Sequence, residues 1–169
     1  MAALAHLGVG LAAKRIAPTI PVGYLVLGAY GLDVLWCAFW AAGIEHYPKA
    51  GAMIPPVWSH GLLMASIWSG LAALLVARIG YSTRAGVAFG AVVFSHWVVD
   101  FITHPMTAVF PADTGLPLLF GGSPLIGLGL YRTKLGVGIG EYGTLALGIV
   151  IYILARRRLK QAKARVVQA

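Results

Sequence analysis

Three ionisable side chains interrupt an apolar run in "SHWVVDFITHP", residues 95–105: His96, Asp100 and His104, each four residues from the next. On an α-helix, residues four apart lie on one face with Cβ atoms ~5–6 Å apart. The three therefore form one polar stripe, two turns long. Imidazole nitrogen and carboxylate oxygen are ordinary Zn²⁺ ligands at ~2.0–2.2 Å. A neighbouring pair on the stripe can hold one ion between them, and all three can share two. A carboxylate at the centre of a membrane helix costs ~2.5–3.5 kcal/mol on insertion scales. A cation held beside it offsets that cost.

Other groups of the same chemistry fall at compatible depths. The chain has only five acidic residues, Asp33, Glu45, Asp100, Asp113 and Glu141. Asp33, Asp100 and Glu141 lie in or at the edge of apolar stretches, and so do His6 and His60. Buried ionisable groups in membrane helices face the bundle interior and have partners. Read this way, His6, Asp33, His60, His96, Asp100, His104 and Glu141 point to one pocket that opens toward the outer side. Each residue also has a plainer reading. A lone histidine is often a hydrogen-bonded packing residue. Asp33 can pair with an arginine, and Glu141 can cap its own helix, where negative charge is favoured. Glu45 and His46, beside Lys49, read as a solvated loop. Asp113, in "PADTG", reads as a turn residue. Trp58, Tyr47 and Tyr131 read as interface anchors.

The elements that carry these residues are apolar helices. Hydrophobic residues make up 59% of the 169 and charged residues 11%, against ~25% charged in a soluble domain. One core could not hide that much apolar surface from water. The expected architecture is all-α: one transmembrane domain over residues 1–169, a helical bundle of four to five transmembrane helices. Apolar stretches at 22–42, 57–77, 85–104 and 137–155 are each long enough to span. Residues 2–13 are too short to cross, so they are expected as a half-inserted helix or one tucked against the bundle. Residues 115–131, rich in glycine and proline, suit a broken or re-entrant segment. The net charge is +8, and six of the thirteen basic residues fall in "ARRRLKQAKAR" near the C-terminus. That basic tail, from about 156, is expected in the cytoplasm, held by positive-inside bias and anionic lipid rather than by nucleic acid. Arg132 and Lys134 break the pattern, since they fall on the outer side. A single cysteine excludes an internal disulfide framework. The stretch "GIGEYG", 138–143, matches a dinucleotide fingerprint in letters only, because it follows no strand. Glycines here serve close helix packing.

"WSHGLL" followed by "SHWVVDFITHP" resembles the membrane-bound metal-dependent hydrolase family, the LexA-regulated, YdjM-like inner-membrane proteins of bacteria and archaea. The resemblance covers about residues 1–105. It rests on His6, on Asp33 in "GLDVLW", on Ser59-His60, and on Ser95-His96, Asp100 and Thr103-His104. The chain departs from the family in having a single Asp at the second feature and Pro-Val-Trp before Ser59. The family's hydrolase label implies zinc-dependent hydrolysis.

The expectation is thus an inner-membrane, multi-pass, metal-dependent hydrolase with one or two divalent ions, most simply Zn²⁺. The metal ligands are expected to be His6, Asp33, His60, His96, Asp100 and His104, with Asp33 or Glu141 as general base. A lipid-like ester or phosphoester is the expected substrate and the bilayer the expected partner. The alternative is a non-catalytic metal- or proton-handling membrane protein, a transporter or structural subunit.

Overall fold

The computed structural model describes residues 3–46, 56–120 and 122–168. Tyr47 and Lys49 lie outside them. The chain is mostly helical, in the order α1 (Ala3–Ala12), α2 (Val22–Ala29), α3 (Gly31–Ala41), α4 (Val57–His60), α5 (Leu62–Arg78), α6 (Thr83–Thr103), β1 (Leu116–Pro117), β2 (Leu125–Ile126), α7 (Lys134–Gly138) and α8 (Thr144–Gln168). β1 and β2 pair antiparallel, Leu116 opposite Ile126. A π-helical turn at Ile139–Gly143 joins α7 to α8, so that Lys134–Gln168 runs as one long helix.

Two helices are long and apolar enough to cross a membrane, α6 and the continuous helix Lys134–Gln168. A third span is available if α2 and α3 count as one. Of the four straight spans expected from hydropathy, 85–104 and 137–155 fall on these two helices. α5 has 17 residues and falls just short, and the stretch 22–42 bends by 59° between α2 and α3. The bend falls at Tyr30–Gly31. Tyr30 leaves helical geometry with ψ of 7°, and Gly31 has no side chain to hold the continuing helix. The large apolar side chains Leu71, Leu74 and Leu75 of α5, and Leu147, Val150 and Leu154 of α8, are exposed. Outward-facing apolar helix surface of this kind is what a bilayer solvates, and with the two long apolar helices it supports a membrane protein.

α6 is the central element. Of its apolar window 44% is buried, against 11% for the C-terminal helix. Its start is set by Ser82, whose hydroxyl accepts a hydrogen bond from Ala85 N–H at 3.2 Å. It packs on α5 through small residues. Cβ atoms added at Gly86 and Gly90 would lie 2.5 Å from Ala73 O and 2.7 Å from Ser69 O. Lipid provides no hydrophobic drive between helices, so close backbone approach of this kind holds them together. α1 docks on α8 the same way, where a Cβ at Gly148 would lie 2.1 Å from Gly8 O. α1 is thus tucked against the bundle. Between α6 and α7 the chain forms an irregular loop that includes the short β1–β2 pair.

In "GIGEYG", Gly140 makes room for the ring of Tyr131, whose nearest atom would lie 2.4 Å from an added Cβ. Tyr131 is 1% exposed. It is a core residue rather than the interface anchor expected, while Trp58 is exposed as an anchor would be.

Replacing Gly148 with Leu is expected to drive α1 off α8 and to destabilise the detergent-purified protein by ~1–3 kcal/mol or more. Gly70→Leu, where an added Cβ meets nothing within 4 Å, is the control. Thermal unfolding of the two variants side by side checks this; equal midpoints would contradict the packing assignment.

Candidate metal centre

Five of the seven candidate residues meet at one place, delivered by four different elements. Asp100 and His96 come from one face of α6. His6 comes from α1, which begins where the Glu141 carboxylate accepts a hydrogen bond from Ala5 N–H at 3.0 Å. Asp33 lies in the first turn of α3, just beyond the bend. His60 ends α4, and the chain turns at Gly61, whose missing Cβ would lie 2.6 Å from Val57 O.

The distances form a closed ring. Asp33 Oδ1 lies 3.4 Å from His60 Nε2 and 3.7 Å from His96 Nε2. Asp100 Oδ2 lies 3.6 Å from His60 Nε2 and 3.4 Å from His96 Nε2. Donors on a tetrahedral ion at ~2.0–2.2 Å stand ~3.3–3.6 Å apart. Four of the six separations among these donor atoms are thus close to the spacing of ligands on one ion. Outside the ring, His6 Nε2 lies 3.2 Å from Asp100 Oδ1. The His6 ring stacks on that of His96, with centroids 3.8 Å apart and planes 6° from parallel. His6, His96 and Asp100, and likewise Asp33, His60 and His96, present ligand atoms within 4.8 Å of one another. The atoms Asp33 Oδ2 and His96 Nε2 are buried without a hydrogen-bond partner. Buried polar groups are normally satisfied, and a cation satisfies lone pairs that converge in this way.

Which nitrogen each imidazole offers is set from behind. His96 Nδ1 lies 2.7 Å from Ala29 O, so it carries the proton and donates to that carbonyl. Ala29 ends α2, and the last carbonyls of a helix lack in-helix partners. The bend therefore supplies the acceptor that turns His96 Nε2 inward. His60 is held differently. Its Nδ1 lies 2.8 Å from the Ser59 hydroxyl, which donates to Glu45 Oε2 at 2.7 Å. Glu45 Oε1 in turn accepts from the N–H groups of Trp58 and Ser59 at 2.7 and 3.0 Å. With Nδ1 occupied, each imidazole offers only Nε2. Metal-binding histidines are commonly fixed by a partner on the other nitrogen.

Glu45 is the residue that sequence reasoning missed. It was expected in a solvated loop but is 5% exposed. Its nearest sequence signal is weak: one acid in a turn ahead of Ser59-His60. His46 beside it is exposed, as a loop residue would be.

Two expected residues lie elsewhere. His104 continues the i, i+4 spacing in sequence but not in space. It caps the end of α6 with ψ of 149°, because a residue before proline avoids the helical region and Pro105 follows. Its Nδ1 lies 2.7 Å from Asp113 Oδ2 instead. Asp113 also accepts from Met106 N–H and Gly115 N–H at 2.5 and 3.0 Å. It is a turn residue, as its sequence context implied, but a buried one. Burial alone would raise the Asp113 carboxyl. The adjacent His104 imidazole and the two backbone N–H groups outweigh burial and hold it below the usual carboxylate range. Glu141, the other candidate base, caps α1 rather than its own helix, and it belongs to neither ligand group.

No family model matches the chain. No curated protein and no solved structure shows a significant match to it.

Two outcomes are expected here. Ser59→Ala and Glu45→Gln each release His60 and are expected to weaken metal binding ~10–100-fold, as read by competition with a chromogenic chelator; native affinity in both variants would refute the orienting chain. The Asp113 carboxyl is lower in the folded chain than unfolded, so its stabilisation is present above the ordinary carboxylate range and is lost as pH falls through it. Asp113→Asn is expected to melt below the native protein at pH 7, with the gap closing below pH ~4. A gap independent of pH would contradict the pairing.

Proposed function

We propose that the chain is a membrane-embedded, metal-dependent hydrolase that acts on an ester or phosphoester of a lipid-like substrate. The observation that carries this reading is the ring of Asp33, His60, His96 and Asp100 donor atoms, closed at 3.4–3.7 Å inside an apolar bundle. The nitrogen–oxygen donor set fits Zn²⁺. The resemblance of residues 1–105 to the membrane-bound metal-dependent hydrolase family supports the same chemistry.

One ion suits the ring better than two. His96 has only Nε2 to offer, so it cannot serve both ligand groups at once. The remaining partner of His6 is Asp100 Oδ1, and His6 then acts by donating to that oxygen. A bound divalent ion supplies Lewis-acid chemistry and makes water available as a nucleophile near neutral pH. The chain's own residues do the rest. Asp100, 4% exposed and touched by three imidazoles, is the fixed anchor. Asp33 is the most open member, with its side chain 16% exposed and Oδ2 unengaged. That oxygen is placed to take a proton from an attacking water, so Asp33 is the general base of this reading. Apolar walls exclude bulk water and favour a substrate that arrives through lipid. By the positive-inside rule the basic end of α8 lies in the cytoplasm, and an inner, plasma membrane location is part of the same proposal.

A second reading draws on the same ring. If all four protein atoms bind one ion, no coordination position stays open, which is the mark of a structural or ion-handling site.

Elemental analysis of the detergent-purified chain is expected to find about one zinc per chain. His96→Ala and Asp100→Asn are expected to reduce it at least ~10-fold, with His46→Ala and His104→Ala retaining it. Equal metal in all four variants would sink the ligand assignment. Hydrolysis of a fluorogenic short-chain phosphodiester or carboxylic ester is expected to disappear with chelator and return with Zn²⁺. Asp33→Asn is expected to lower its rate ~10²-fold or more. Tight stoichiometric metal with no turnover of either ester class would favour the second reading.

A further inference from the structure

Arg132 is one of the two basic residues, with Lys134, that charge bias left unexplained, and its surroundings suggest a role. A pocket of about 480 Å³ opens beside the C-terminal end of α6. Phe101, Pro105, Leu125 and Ile126 form an apolar wall, and Thr114 and Arg132 supply the polar part of the lining. The Arg132 side chain is folded back onto Gly129, where an added Cβ would lie 2.5 Å from Nε. Gly129 sits at φ +73°, a conformation that glycine adopts without strain. The arginine side chain thus lies over the loop.

This cation has no counter-ion among the described residues. All five carboxylates are engaged elsewhere: Asp33 and Asp100 with imidazoles, Glu45 with Ser59, Asp113 with His104, and Glu141 with Ala5 N–H. Among the described residues no hydrogen bond or ion pair engages the guanidinium. Arginine's planar fork favours phosphate and carboxylate oxygens. The loop around it is apolar on its outer surface, with Val109, Phe110, Leu119, Phe120 and Leu128 all exposed. A water-soluble anion would meet the guanidinium but leave the wall bare. An anionic phospholipid meets both.

We infer that this pocket binds an anionic phospholipid, its phosphate on Arg132 and its first acyl carbons against Phe101, Pro105, Leu125 and Ile126. The site is separate from the metal ring and does not depend on the hydrolase reading. It explains why a basic residue stands on the side where charge bias disfavours one: the cation serves a local lipid contact rather than orientation.

Native mass spectrometry of the full chain in neutral detergent measures binding of short-chain phosphatidylglycerol, with short-chain phosphatidylcholine and inorganic phosphate as comparisons. Phosphatidylglycerol is expected to bind tightest. Arg132→Gln is expected to weaken it about tenfold or more, the loss of a charge-assisted contact. Ile126→Trp, which fills the apolar side, is expected to weaken it similarly, and Arg158→Gln in the basic tail to leave it unchanged. Zinc content, read on the same samples, is expected to be native in all three, which separates this site from the metal reading. Native lipid affinity in both Arg132→Gln and Ile126→Trp would overturn the proposal. So would inorganic phosphate binding as tightly as the lipid. Should Arg132→Gln fail to fold, Ile126→Trp and Gly129→Ala, which displaces the arginine, carry the same test.

Discussion

The constraint on which the rest depends is a carboxylate buried in an apolar bundle. Asp100 is 4% exposed and sits on the more enclosed of the two long apolar helices. Alone, a charge there is expensive. Three imidazoles within 3.6 Å surround it, from α1, α4 and its own helix. No single helix can supply that shell. The bundle's packing can be read as the means of bringing α1, α3 and α4 to the face of α6 that carries His96 and Asp100. Close glycine contacts draw α1 onto α8 and α5 onto α6, and the local breaks at Gly31 and Gly61 aim Asp33 and His60.

Backbone irregularity and site geometry are coupled. A straight helix through residues 22–42 would satisfy its own carbonyls. The bend leaves Ala29 O for His96, and Asp33 follows one turn later. The partner of His60 is built from side chains instead, through Ser59 to Glu45, and Glu45 also caps the short α4. Both devices fix one nitrogen so that the other faces inward, and both lower the conformational entropy lost when a ligand atom is captured. Asp33 lacks such a clamp on its second oxygen, and it is also the member nearest to solvent. Of the two carboxylates, Asp100 is the more enclosed and Asp33 the more open.

Much of the centre was legible in one dimension. His96 and Asp100 follow from a spacing of four on an apolar helix. His60, Asp33 and His6 follow from the cost of placing ionisable groups in such segments. His104 shows the limit of that reasoning. The spacing was right, but Pro105 ends the helix one residue earlier and sends the side chain to Asp113. The letters to see this were present, since a histidine before proline is a poor helix residue. Glu45 was not legible, because its burial depends on where α4 lands after the turn that precedes it. Glu141 was legible as a capping residue, but not as the cap of a helix at the other end of the chain.

What the amino-acid sequence determined by itself was composition and local periodicity: a helical membrane chain, a stripe on α6, and a short list of side chains too costly to leave unpartnered. These follow from transfer free energies and helix geometry, which act residue by residue. Only the tertiary structure decided which of those side chains share a partner, which nitrogen each imidazole presents, and which apolar stretch is bent rather than straight. Those depend on contacts between residues far apart in the chain, such as His6 with Asp100 and Ala29 with His96, and no local propensity encodes them.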